Sequence, residues 1–192
     1  NLNKNTIITG PNASGKTTLL KCTLFNLILS QQIGYGFYDK AKIKLFDNFH
    51  CYLNIPDTSG RDSLFQAEAR RCKNILEVIE AEKDKNHFCI FDEIYSGTNP
   101  HEATASAYAY LKYLLGYSNF NFMITTHYFS VCKYLNKDMK NIHMNVLSNN
   151  YNLTYTYLVK NGISSVKGGL KVLHDLDYPD KIIEYAEEKL KQ

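Results

Sequence analysis

The tightest constraint in this chain is the run Gly10-Pro11-Asn12-Ala13-Ser14-Gly15-Lys16-Thr17, set directly after the apolar stretch Thr6-Ile7-Ile8-Thr9. It fits G-x-x-x-x-G-K-[ST] between a β-rich segment and a helical pattern, the context in which that pattern forms a phosphate-binding loop. Gly10 and Gly15 let the backbone wrap closely, turning successive N–H groups and the start of the next helix toward phosphate oxygens. Lys16 can then bridge β- and γ-phosphates, and the Thr17 hydroxyl can ligate Mg²⁺. A plain Gly-rich turn before a helix is the alternative, and the strand and helix on either side argue against it.

Beyond that run, two apolar segments end in chemistry-bearing residues. Phe88-Cys89-Ile90-Phe91 leads into Asp92-Glu93, and Phe122-Met123-Ile124-Thr125-Thr126 leads into His127. Continuous apolar runs of this length predict strands buried on both faces, as in a parallel sheet under helices. Two carboxylates at such an end are costly without a cation or water beside them. Asp92 therefore reads as a holder of Mg²⁺ through water, and Glu93 as the base that orients and deprotonates an attacking water. Solvated acids at an exposed strand end are the plainer reading. A lone histidine is more often a satisfied structural residue, but His127 falls at the carboxyl edge where ligands sit in open α/β sheets and where a γ-phosphate contact is needed. His50, His87, His101, His143 and His174 have no such placement.

Between these lies a loop that enters a helix at Ser63-Leu64-Phe65-Gln66-Ala67-Glu68. Ser63 and Gln66 form a capping box, with Phe65, Cys72, Ile75, Leu76 and Ile79 on one apolar face. A capped helix end carrying a free hydroxyl is also an anion site, and the two roles can coexist. Elsewhere, helices are expected from Thr17 to Gln32, from His101 to Leu115, and after Pro179 with Ile182, Ile183, Ala186 and Leu190 on one side. A short strand pair is expected within Ile43–Ile55, and a β-hairpin around Ser148-Asn149-Asn150 whose tyrosines read as one side of a packed sheet rather than a stacking platform for bases. Gly162 to Gly169 reads as loop.

Composition narrows the class. At 192 residues, 44% hydrophobic and 21% charged, the chain suits one soluble domain with a sizeable core. No apolar run approaches the ~20 residues of a membrane span. A net charge of +3 supplies no basic stripe for nucleic acid. Cys22, Cys51, Cys72, Cys89 and Cys132 are scattered without a C-x-x-C pair, as expected of reduced thiols inside a cell. The abrupt entry into a strand is expected of a segment cut from a longer protein.

Lys16, Ser63, Asp92-Glu93 and His127 occur in the order of an ABC-type ATPase, and the chain more closely resembles the ATPase domain of the MutS family of mismatch-repair proteins. Ile8-Thr9-Gly10-Pro11-Asn12 with Gly15-Lys16-Thr17-Thr18 is similar to that family's phosphate loop. Ser63-Leu64-Phe65-Gln66-Ala67-Glu68 is similar to its Ser-Thr-Phe-x-x-Glu signature. Asp92-Glu93-Ile94 with Gly97-Thr98, and Thr125-Thr126-His127-Tyr128, resemble two further blocks. Tyr157-Leu158, Gly162-Ile163-Ser164, Gly168-Gly169-Leu170 and Pro179 to Ala186 resemble the stretch leading to its terminal dimer helices. Tyr95-Ser96 and Asn99-Pro100 depart from the commoner residues, and the Pro usual after Gly34 is absent.

The resemblance implies one domain over residues 1–192, an α/β P-loop NTPase of the ABC type. Its mostly parallel central sheet would be flanked by helices, with an antiparallel hairpin and a C-terminal helix. It implies ATP hydrolysis to ADP with Mg²⁺ at composite sites in a dimer. Residues 10–18 would bind the nucleotide (Gly10, Pro11, Asn12, Ala13, Ser14, Gly15, Lys16, Thr17 and Thr18), Thr17 and Asp92 the metal, and Lys16, Glu93 and His127 would serve catalysis. Ser63 would close over the γ-phosphate from the partner, a second copy or a MutS-like paralogue. DNA would be reached through domains absent from this chain, in an intracellular, DNA-containing compartment. The alternatives are another ABC-type machine such as an SMC-like repair ATPase, and a nucleotide-gated dimerisation module that does not hydrolyse. A transporter subunit is disfavoured by the missing Gly-Gly-Gln after Ser63, and a P-loop kinase by the lack of a second-substrate lid.

Overall fold

A computed structural model describes residues 4–53, 63–149, 152–166 and 168–190. Strands and helices alternate along most of the chain: β1 (Thr6–Thr9), α1 (Lys16–Ile33), β2 (Asn48–Tyr52), α2 (Leu64–Ala81), β3 (His87–Asp92), α3 (Pro100–Leu114), β4 (Phe120–Thr125) and α4 (Phe129–Tyr134). The hairpin β5 (Lys140–Asn149) and β6 (Asn152–Asn161) follows, then α5 (Gly169–Asp175) and α6 (Asp180–Leu190). One six-stranded sheet results, in the order β2-β3-β4-β1-β5-β6. Every neighbouring pair is parallel except β5–β6. The fold is thus α/β with a mostly parallel sheet, as the sequence predicts.

The two-residue period of a strand explains how one continuous apolar run serves two cores. Cys89 and Phe91 of β3, with Ile7, Phe122 and Ile124, face a core closed by α2, α3 and α4. Phe88 and Ile90, with Ile8 and Met123, face the opposite side, which α1 covers through Leu20 and Leu24. The helix that follows β1 and the helix that follows β4 therefore lie on opposite faces of neighbouring strands. A crevice opens at the carboxyl ends of such a pair, the place where open α/β sheets receive ligands.

Several elements differ from expectation. The strand pair within 43–55 reduces to β2 alone; residues 40–46 have no regular structure, and Asn54 and Ile55 lie outside the described residues. Alternation of lysine and apolar residues over 40–45 finds no neighbouring strand, and Leu45 is exposed. The break at Asp47 starts β2 instead: its N–H donates to the Asn86 carbonyl and its carboxylate accepts from the Asn86 N–H. Two short helices, α4 and α5, go unpredicted. The predicted hairpin is present, its pairing reaching Asn149–Asn152. Of its tyrosines, Tyr155 is half-buried and stacks on Tyr157 at 6.4 Å, Tyr157 is 65% exposed on the edge strand β6, and Tyr151 lies outside the described residues. On α6 only Ile183 of the expected apolar side is buried, whereas Ile182 and Leu190 face outward. Among the described residues, no helix is long and apolar enough to cross a membrane.

Candidate functional site

The loop between β1 and α1 is held in a conformation that its glycines make accessible. Gly15 has φ 95°, a left-handed geometry that carries no side-chain penalty only for glycine, and it caps the start of α1. At Gly10 a Cβ would come within 2.8 Å of the Ser14 hydroxyl oxygen. Pro11 and Ser14 are buried in the turn while Asn12 and Ala13 stand exposed at its crest. Lys16 folds back under this crest. Its ammonium donates to the Pro11 carbonyl at 3.3 Å and lies 3.6 Å from Glu93 Oε1. Burial pushes its pKa below the ordinary lysine value, with Glu93 and Asp92 pulling the other way.

Parallel register brings the other groups to the same edge. Asp92, the last residue of β3, pairs with Thr125 at the end of β4, and Thr125 in turn stands beside Ile8 of β1. Thr17 donates its hydroxyl to the Asp92 carboxylate at 2.9 and 3.1 Å, and Thr125 Oγ1 donates to Asp92 Oδ1 at 2.5 Å. A threonine hydroxyl beside a carboxylate is a pair of hard oxygen donors of the kind Mg²⁺ takes, with water and phosphate completing its shell. No group of three or more His, Cys, Asp or Glu gathers at a metal-binding spacing among the described residues.

Glu93 leaves the strand through a left-handed turn, φ 55°. His127 Nε2 sits 2.8 Å from its Oε1. The hydrogen bond from His127 holds the Glu93 carboxyl below the usual carboxylate range against partial burial, helped by the charges of His127 and Lys16. Glu93 is therefore an ionised acceptor, half-exposed and steadied from two sides.

A cleft of about 690 Å³ opens over this edge, with Asn12, Ala13, Gly15, Lys16, Thr17, Thr18 and Glu93 in its lining. Five of the predicted residues thus fall at this edge in two adjacent bonded sets, Thr17 with Asp92, and Lys16 and His127 with Glu93. Ser63 is not in that lining. It is exposed and caps α2, its Oγ accepting from the Gln66 N–H at 3.3 Å while its own N–H donates to Gln66 Oε1 at 2.9 Å. Met144, Tyr157 and Val159 of the hairpin form a further wall that sequence reasoning missed. The only available signal was a tyrosine-rich edge strand, which carries no spacing rule. Thr125 was also missed as a partner of Asp92, although it stands two residues before His127.

Residues 6–192 match the family described as MutS domain V. The chain belongs to the MutS domain V family. It is 29% identical to the DNA mismatch repair protein MutS of Staphylococcus epidermidis over 94% of this chain and 21% of that protein. It is 29% identical to the protein of the same description from Bacillus velezensis over 97% of this chain and 22% of the relative. For that of Bacillus subtilis the identity is 27%, over 97% and 22% respectively. The chain therefore spans about a fifth of the length of the curated relatives it matches.

Proposed function

We propose that residues 1–192 form the P-loop ATPase domain of a MutS-like DNA mismatch repair or recombination protein. In this reading it works as a dimer, with a second copy or a MutS-like paralogue, in an intracellular, DNA-containing compartment. Residues 10–18 cradle the phosphates of ATP, and Lys16 neutralises the β- and γ-phosphates. The observation that carries the reading is the bonded set at one sheet edge, with Thr17 on Asp92 at 2.9 Å and Glu93 within reach of both His127, at 2.8 Å, and Lys16, at 3.6 Å. These are the parts needed to hold a nucleoside triphosphate and activate a water against its last phosphorus.

Thr17 and Asp92 fit a divalent cation, and Mg²⁺ bound there would supply charge neutralisation for the phosphates. Glu93 accepts a proton from the attacking water as the new oxygen–phosphorus bond forms and the bond to the ADP oxygen breaks. His127 keeps that carboxylate ionised and aimed. Ser63, exposed at the tip of α2, serves the nucleotide of the partner. The γ-phosphate then bridges two protomers, and its removal releases the bridge; DNA is moved by domains outside this chain.

Glu93→Gln tests the reading. Turnover should fall by about 10²–10⁴-fold, while ATP affinity, measured by fluorescence of a labelled nucleotide, stays within a fewfold of wild type and dimers accumulate. Equal turnover in both proteins would favour a nucleotide-gated dimerisation module over an ATPase. Failure of wild type to bind ATP would remove both readings.

A further inference from the structure

Glu68 lies one turn inside α2, is 2% exposed, and takes no part in the cleft. Its Oε1 accepts from the Ser96 N–H at 2.9 Å and from the Ser96 hydroxyl at 2.8 Å, and its Oε2 accepts from the Gly97 N–H at 3.0 Å. A buried carboxylate is tolerated where several donors converge on it in this way. The turn it grips is the one that leaves Glu93. Glu93 and Tyr95 both hold positive φ, 55° and 60°, an arrangement that persists in non-glycine residues only where the surroundings impose it.

Three more contacts weld this turn to α2 and to the His127 segment. At Gly97 a Cβ would fall 2.7 Å from Leu64 Cγ and from the Phe65 nitrogen, so the turn lies directly on the first residues of α2. The Phe65 and Tyr95 rings pack 5.6 Å apart, and the Tyr128 hydroxyl donates to the Tyr95 carbonyl at 3.2 Å. A continuous path, buried at Tyr95 and Glu68, thus runs from Glu93 through residues 95–97 and Glu68 to the capped end of α2 at Ser63.

We propose that Glu68 is a positioning residue that fixes the Ser63 end of α2 to the Glu93 turn. Occupation of a protomer's own cleft then sets the placement of the serine it offers elsewhere. The inference rests on the nucleotide reading above. The carboxylate is needed, and not merely a polar group of its size, because both oxygens accept. A glutamine puts an N–H₂ against one set of donors and keeps a single accepting atom.

Hydrogen exchange on the 192-residue chain, at a dilution where sedimentation gives a monomer, separates the outcomes. The probe is Mg²⁺ with a non-hydrolysable ATP analogue, compared with no nucleotide. In wild type the analogue should slow exchange both in residues 10–18 and in residues 64–70. In Glu68→Gln the slowing at 10–18 should remain and that at 64–70 should be lost. A purely structural Glu68 would instead raise exchange at 64–70 equally with and without nucleotide, leaving their difference intact, and that result overturns the proposal. So does a wild type in which 10–18 is protected and 64–70 is unaffected. Absence of protection at 10–18 would overturn the nucleotide reading itself, and the proposal with it. Should Glu68→Gln fail to fold, Ser96→Ala deletes one donor of the three and should weaken the added protection at 64–70, an unchanged response counting against the role.

Discussion

The two ends of β3 carry polar groups of similar standing, yet they do opposite things. At its amino end His87 is wholly buried and donates from Nε2 to the Glu82 carbonyl at 2.9 Å. Its Nδ1 is then an acceptor, and His50 Nε2 donates to it at 3.1 Å, the two rings stacked at 5.4 Å. Asn48 and Glu82 close the same end through a 2.6 Å hydrogen bond. At the carboxyl end, Asp92 and Glu93 also have partners, but Lys16 and Glu93 open onto a cleft of about 690 Å³. The amino end is a network that satisfies itself; the carboxyl end has capacity to spare for a ligand. Residue type does not separate the two, since histidine and glutamate occur at both. What separates them is whether donors and acceptors are exhausted within the chain.

The strand between these ends supplies the largest expected effect. Phe91 is fully buried and meets Phe122 and Tyr110 edge-on, each with centroids 5.9 Å away. Phe91→Ala should cost about 3–5 kcal/mol of stability, through lost transfer energy and a cavity under α3. Chemical denaturation at fixed pH measures it. A loss under about 1 kcal/mol would mean that the two ends, rather than the apolar span joining them, hold β3 in place.

Next in size is the carboxyl end. On the proposed ATPase reading, His127→Ala removes the donor that steadies Glu93, and turnover should fall about a hundredfold. His127→Gln, which keeps an N–H at comparable reach, should recover part of the loss. Both should leave the unfolding midpoint near that of wild type, because the His127 side chain is 44% exposed. A variant that loses stability but not rate would make this end structural, like the other.

The asymmetry between the ends also explains what could be read from sequence. Gly10 to Thr17, Asp92-Glu93 and His127 were legible because each sits at a fixed offset from an apolar run, and parallel register turns equal offsets into proximity. The capping box at Ser63 was legible because it is local. Glu68 was visible as a letter in a motif but not as a clamp, since its partners lie 28 and 29 residues away across a turn with no repeating pattern. The hairpin wall at Tyr157 was missed for a related reason: an exposed edge strand has no burial pattern to announce which side meets the loop. The alternation that begins at Ile43 imitated a strand before Asp47 because period alone cannot supply a neighbour to pair with. The helices α4 and α5 span six and seven residues, too short for a helical period to stand out.

The smallest effect belongs to the amino end, and it is a pH effect. Burial lowers the pKa of His50 from 6.5 to about 4, with the neighbouring His87 and Arg71 adding to the shift and Glu82 opposing it. Unfolded, the same imidazole titrates near its ordinary value, so between about pH 6.5 and 4 the unfolded chain binds the proton that the folded chain refuses. Stability from this group is therefore complete above about 6.5 and drains away as pH falls toward 4, the direction expected when the folded pKa is the lower one. His50→Gln keeps an N–H for His87 but cannot take the proton. Its unfolding midpoint should fall less steeply than that of wild type over this window, while the two proteins run parallel from pH 7 to 8. The ATP turnover proposed above, measured at neutral pH, should be the same in both, because His50 stands at the satisfied end of the sheet. A His50→Gln variant that lost turnover at neutral pH while keeping its midpoint would show that the two ends of these strands are not separable after all.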